Sequence, residues 1–394
     1  MVISDVRVKV FMLSVLLLPL YNIGELYNLF YGVSVSQTIN SSGFLKFIKD
    51  ICLIFIFLVA MRHWISTAKF PRIFVYILLF YVFTTLPPLY VALMDQQFFN
   101  LLSGVRYLMP FILVLSLYDR IDKFFIFNLY LVLKWLFYIN LLLQFLQLVF
   151  GSHYHGAIFG VFSARNTGFF SIPVTTAVFS SVFLLYRFVL RNMIKNTGTD
   201  KFLIVSMGAV CSAILAGSFT GIVLALIVLL GLLRLNVNFF LLFASLMLVG
   251  YFAIDFLMSF RSPGALFVSF GTRVELFVRT LVNGQLVSYS FGNGTNSAVL
   301  LGTGVVLDSL WAGLIHNLGY LGAISYFLSA FLSMLLAFVN RNRDRFLYWL
   351  FLFAVSSTSS ILEHFPTAHV LGVLGIYLYA VDRPSHPYRV WNAH

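Results

Sequence analysis

FRSPGALFVSFGTRVELFVRT (residues 260–280), FGNGTNSAVLLGTG (291–304) and LDSLWAGLIHNLGYLG (307–322) span the longest break between apolar segments in this 394-residue chain. The break gathers Arg261, Arg273, Glu275, Arg279, Asp308 and His316 in a sequence that is only 10% charged. Apolar runs long enough to cross a bilayer flank it on both sides. A polar stretch of that density between such runs reads as a site held between membrane spans.

Composition supports the same reading. The chain is 61% hydrophobic with a mean hydropathy of +0.96, whereas soluble domains carry about 25% charged residues. In lipid, a helix satisfies its own backbone, so the expected fold class is all-α, as a polytopic integral membrane protein. The formal net charge of +12 would suggest a nucleic-acid partner in a soluble protein. Here the basic residues collect in loops on one side, so membrane lipid is the expected environment and no nucleic acid is implied. Cys52 and Cys211 each sit inside an apolar run and read as helix packing, with no disulfide and no metal. Arg7 and Lys9 precede the first apolar run, and no small-residue cleavage site follows it. That run is expected to stay attached as the first span.

About twelve spans are expected from runs of suitable length. They cover residues 8–30, 45–62, 72–93, 98–118, 124–150, 169–190, 202–217, 220–234, 238–257, 311–339, 346–362 and 367–381. Pro19 falls inside the first, where a membrane helix tolerates it. The chain thus reads as one polytopic domain, 1–394, with a major external loop at 257–311 and a second polar loop at 151–168. Lys and Arg set the sidedness. Arg7 and Lys9, Arg62 with Lys69 and Arg72, Arg187 with Arg191, Lys195 and Lys201, and Arg341 with Arg343 and Arg345 fall in alternate connections. The opposite side carries Arg165, Arg261, Arg273 and Arg279. Lys46, Lys49, Arg106 and Lys134 lie within or at the edge of spans. An even span count puts both termini in the cytoplasm and both polar loops on the external face. Arginine without lysine on that face suits planar, bidentate recognition of an anion such as phosphate. The same arginines could instead meet lipid headgroups or pair with Glu275 and Asp255.

Three separated motifs resemble one family. Arg165-Asn-Thr-Gly168-Phe-Phe-Ser-Ile-Pro173 resembles the R-x-x-G-x-F-x-x-P element of O-antigen polymerases and ligases. Leu215-Ala-Gly-Ser218-Phe219-Thr-Gly221 resembles that family's T-G-S-R-T-G turn. Arg273-Val-Glu-Leu-Phe, Phe291-Gly-Asn-Gly294 and the segment ending Gly319-Tyr-Leu-Gly322 resemble its R-x-x-x-W/F … G-x-G … H-N-x-Y-L … G-x-x-G block. The resemblance covers residues 150–325 and extends to the flanking spans only in hydropathy. It implies a GT-C-like membrane enzyme of the bacterial inner membrane, with its active site facing the periplasm. Two positions depart from the ligase pattern. Asp308 stands where ligases carry a catalytic His, and Ser309 where they carry Asn, while Trp311 keeps the aromatic. An acid there is what polymerase members show, so the resemblance is to Wzy-type polymerases. Phe219 replaces the arginine of the ligase turn, and Arg106 is a candidate to supply the missing charge.

The family reaction joins a sugar hydroxyl to the anomeric carbon of a glycan carried on undecaprenyl diphosphate. Positive charge must stabilise the departing diphosphate, and a general base must take the hydroxyl proton. Arg165, Arg273, Arg279 and Arg106 are the diphosphate candidates, and Asp308 or His316 the base. Asp308 also suits an N-cap of the tenth span. His153 and His155 read as loop residues, and no metal or cofactor is expected. The implied partners are undecaprenyl-diphosphate-linked oligosaccharide repeat units, membrane lipid and a chain-length regulator protein. The rival readings are an O-antigen ligase, which would transfer glycan to lipid A-core, and a lipid-linked oligosaccharide flippase or transporter. Asp308 speaks against the first. The absence of internal repeats speaks against the second.

Overall fold

A computed structural model describes residues 5–23, 43–67, 109–150, 154–158, 161–170, 172–194, 198–231, 310–358 and 365–380. These residues are helical apart from short turns and one two-stranded hairpin. The chain divides into two compact units. The first comprises Met1–Leu58, Asp119–Leu266 and Val373–Leu378, and the second Val59–Tyr118, Phe267–Gly372 and Tyr379–His394. Helices α1 (Val6–Leu16), α2 (Leu18–Tyr21), α3 (Gly43–Thr67), α4 (Met109–Leu117) and α5 (Lys123–Phe150) come first. Strands β1 (Tyr154–Ile158) and β2 (Val161–Arg165) follow, then α6 (Pro173–Val189), α7 (Phe202–Leu215), α8 (Phe219–Leu230), α9 (Leu310–Val339), α10 (Arg343–Thr358) and α11 (Thr367–Ala380).

In the first unit, the Asp5 carboxylate caps α1 by accepting from the Arg7 backbone N–H at 2.8 Å. The expected first span is broken. Helix α1 ends at Leu17, and α2 restarts with Pro19 in its first turn. Proline has no N–H to offer the carbonyl four residues back and its ring clashes with that carbonyl. In the first turn of a new helix neither defect matters. Helix α5 starts where Asp122 accepts from the Phe125 N–H at 2.7 Å. It is long and apolar enough to cross a membrane. Pro173–Val189, Phe202–Leu215, Phe219–Leu230 and Thr367–Tyr379 are apolar but shorter, and Ala323–Val339 is an apolar stretch within the longer α9.

Helix α6 packs against α5, α7 and α8. It is buried on all sides from Thr175 to Phe188, as expected of a helix surrounded by others. Its two halves pack differently. Near the C-terminus Phe183 stacks between Tyr130 and Phe137 of α5, with ring centroids 5.4 and 4.7 Å away. Near the N-terminus its residues are small: Thr176, Ala177, Ser180 and Ser181. There Gly221 of α8 lies so close that an added Cβ would overlap Ala177 and stand 2.9 Å from the Ala213 Cβ of α7. Small residues let three helix backbones converge at this level.

In the second unit, α9 and α10 form a helical hairpin. Its turn puts Arg341 at φ +53, with the Arg341 and Asn342 N–H groups closing back on Phe338 and Ala337. Asn342 then caps α10 through the Arg345 N–H at 3.2 Å. Phe327–Phe353 and Phe338–Phe346 ring pairs hold the arms together, with centroids 5.8 and 5.7 Å apart. The Tyr348 hydroxyl donates to the Leu371 carbonyl of α11 at 3.1 Å.

Candidate functional site

The β1–β2 hairpin pairs Tyr154 with Arg165 and Ile158 with Val161, so the segment read as a loop at 151–168 contains ordered antiparallel structure. Arg165 ends β2 and opens the first motif. The next residues, Asn166 to Phe170, are buried without belonging to a helix or strand. Buried backbone outside a regular element must find other hydrogen-bond partners. Three fully buried amides on one face of α5 supply most of them.

Gln147 grips Gly168 at both ends. Its Oε1 accepts from the Gly168 N–H at 2.8 Å, and its Nε2 donates to the Gly168 carbonyl at 3.1 Å. Asn140 Oδ1 accepts from the Phe169 N–H at 3.1 Å. Gln144 is the hub. Its Nε2 donates to the carbonyls of Asn166 and Ser212, at 2.9 and 3.0 Å, and its Oε1 accepts from the Ser212 hydroxyl at 2.7 Å. The Ser180 and Ser212 hydroxyls are 2.8 Å apart, and the Thr176 hydroxyl donates to the Thr167 carbonyl. Gly168 is required: its φ is +61, and a Cβ there would overlap Asn140. The Thr167 hydroxyl is buried with no hydrogen-bond partner among the described residues.

The second motif meets the first. The Asn166 N–H donates to the Leu215 carbonyl at 3.0 Å. Helix α7 ends in a left-handed turn at Gly217, φ +59, with Gly217 and Ser218 N–H groups bonded to Ile214 and Ala213. The Arg165 side chain lies over this glycine, so that a Cβ would stand 3.5 Å from its Cγ and 3.7 Å from its Nε. Ser218 caps α8, accepting from the Gly221 N–H at 3.4 Å. A half-buried guanidinium therefore lies beside a turn that opens directly into a helix N-terminus. Both features favour an anion.

The middle of α5 is held by charge. Asp200 accepts from Lys134 at 2.9 Å and from the Tyr130 hydroxyl at 2.8 Å. Its carbonyl takes the Arg187 Nε–H at 2.7 Å, and the Tyr138 hydroxyl reaches the Thr199 carbonyl. Lys134, a charge inside an expected span, thus has its counter-ion in the connection after α6. At the start of the chain, Arg7 bridges Asp5 and Asp119, and Arg120 joins both carboxylates. Burial pushes the Asp5 carboxyl up, but the hydrogen bonds and charge of Arg7, with help from Arg120, outweigh it and hold the pKa below 3.8.

Of the residues singled out from sequence, the structure describes Arg165 fully and His316 only as backbone within α9. Arg106, Arg273, Arg279 and Asp308 lie outside the described residues, as does most of the 257–311 loop. Asn140, Gln144 and Gln147 were missed. Their signal in the sequence is three amides spaced four and three apart in an otherwise apolar run, with no ionisable group among them. Among the described residues, no cluster of three or more His, Cys, Asp and Glu could hold a metal ion. Set against protein-family models, curated proteins and solved structures, the chain matches none of them.

Proposed function

We propose that this protein is a membrane-embedded polysaccharide polymerase of the Wzy type. It would transfer glycan from undecaprenyl diphosphate to a sugar hydroxyl of another lipid-linked repeat unit, on the periplasmic side of a bacterial inner membrane. The observation that carries the reading is the meeting of two motifs chosen from sequence alone: Arg165 lies over Gly217, and Asn166 is hydrogen-bonded to Leu215. Residues about fifty apart in sequence converge there, on a helix N-terminus suited to phosphate.

The membrane reading has its own support. Trp135, Leu142 and Val149 recur every seven residues on α5 and are 68%, 59% and 77% exposed. A lipid-covered face has that character. Lys134 and Gln147 mark the Asp200 level and the Arg165 loop, about 20 Å apart along α5. That separation suits an anion site near the outer end of the expected span, with the Lys134–Asp200 pair at an inner level of the same span. Irregular backbone at membrane depth is tolerated only when buried in protein, and 166–170 is so buried.

In the proposed reaction the acceptor hydroxyl attacks the anomeric carbon as the bond from that carbon to the phosphate oxygen breaks. Undecaprenyl diphosphate leaves with the bonding electron pair, and the hydroxyl proton passes to a base. Arg165, joined by Arg273, Arg279 and Arg106, would stabilise the charge that grows on the leaving diphosphate. Asp308 would take the proton, with His316 the alternative. Deleting the gene and separating the surface polysaccharide tests the function. Single repeat units in place of long chains are expected. Bare core with polymer left on the lipid carrier would point to a ligase, and unchanged polysaccharide would refute both.

A further inference from the structure

We propose that the amide stripe Asn140–Gln144–Gln147 on α5 is a positioning element. It fixes the backbone that presents Arg165 over the Gly217 turn. The inference rests on the polymerase reading for its consequence, but its geometry stands independently. Five of the stripe's hydrogen bonds end on loop backbone or on the α7 carbonyl at Ser212: two from Gln147 to Gly168, one from Asn140 to Phe169, and two from Gln144 to Asn166 and Ser212. Ser212 is three residues before Leu215, which receives the Asn166 N–H. Gln144 therefore ties the first motif and the helix carrying the second to one side chain.

The chemistry of the stripe fits this role. An amide offers a donor and an acceptor together, so it can satisfy both groups of one peptide, as Gln147 does for Gly168. A carboxylate would satisfy only donors, and its charge would pair with an arginine nearby. A lysine would repel one. Neutral amides hold the loop without adding a charge of their own beside it. Gly168 completes the device, since any side chain would displace Asn140.

The test compares Gln147→Leu, Gln147→Glu and wild type in purified protein. Gln147→Glu keeps an acceptor for the Gly168 N–H and serves if the leucine variant does not fold. Asp200→Asn is the control for lost stability away from this loop. Two readouts are needed. One is the rate at which phenylglyoxal modifies Arg165, followed by peptide mass spectrometry. The other is polymer formation from lipid-linked repeat units, resolved into kcat and KM. Both Gln147 variants are expected to raise Arg165 modification and to lower kcat/KM about 100-fold, the scale of a displacement near 1 Å, through a lower kcat and a weaker hold on the donor. Asp200→Asn should alter neither readout. Wild-type modification rates and kcat in a folded Gln147 variant would overturn the proposal, as would equal changes in Asp200→Asn. A wild-type protein that makes no polymer, with Arg165 modification still faster in the Gln147 variants, would refute the polymerase reading and support the positioning role.

Discussion

Two stretches of α5 hold their neighbouring loops by opposite means. At the C-terminal end, Asn140, Gln144 and Gln147 are fully buried and bind backbone through neutral amides. Near the helix middle, Lys134 and Asp200 are paired while 22% and 24% exposed. A buried group that loses its partner costs about 1–3 kcal/mol. A partly exposed ion pair contributes about 0–1 kcal/mol. The neutral clamp is therefore the rigid one and the ionic clamp the tolerant one. Rigidity sits where the arginine is presented, and tolerance where the basic connection after α6 meets α5.

Two glycines offer the sharpest way to break this comparison. Gly168 and Gly198 both have positive φ, +61 and +53. An added Cβ would overlap Asn140 at the first and meet nothing within 4 Å at the second. Gly198→Ala should cost about 1 kcal/mol from backbone strain alone. Gly168→Ala adds the collision and should cost about 3 kcal/mol or more, with polymer formation lost. Thermal unfolding in detergent measures both, and equal shifts would remove the distinction between the clamps.

A smaller effect is expected at the ionic clamp. Asp200→Asn leaves Lys134 without its counter-charge but keeps the carbonyl that accepts from Arg187. Its cost should be about 1 kcal/mol or less, with polymer length unchanged on a gel. A loss as large as that of Gly168→Ala would show that this clamp, too, is rigid.

The smallest effect concerns the pairing of Asp5 with Arg7 and Arg120, because Asp119 remains to balance the buried Arg7 when Asp5 is replaced. The Asp5 pKa is depressed, so its stabilisation is complete above the ordinary carboxylate value of 3.8 and disappears as the pH falls through the lower folded value. Asp5→Asn should lower the thermal midpoint slightly at neutral pH. The difference from wild type should vanish in acid, and one that persists there would assign the loss to the cap of α1 instead.

Much of the helical frame was legible in the sequence. Runs 124–150, 202–217 and 311–339 became helices at 123–150, 202–215 and 310–339, because charged residues or a glycine turn bound the apolar stretches. The break at Leu17 was not legible. Proline can sit within a membrane helix or begin a new one, and hydropathy does not separate these. Nor was the hairpin at 154–165, since its strands are short and lie in a stretch read as loop. Arg165 stood out because it ran against the charge asymmetry. The amides beneath it did not, because their value lies in backbone groups brought to them by folding. Lys134 looked anomalous for the same reason: Asp200, its partner, is sixty-six residues away.

The central claim is that Arg165 binds the lipid diphosphate through a fork held over the Gly217 turn. Its most direct test is the affinity of the purified protein for undecaprenyl diphosphate, measured for wild type, Arg165→Ala and Arg165→Lys by titration in detergent. A charge-assisted contact of this kind contributes about 1.5–3 kcal/mol, so the alanine variant should bind at least ten-fold more weakly while remaining folded. The lysine variant should recover little of the loss, because a point charge cannot reproduce a bidentate fork. Wild-type affinity in Arg165→Ala would contradict the account.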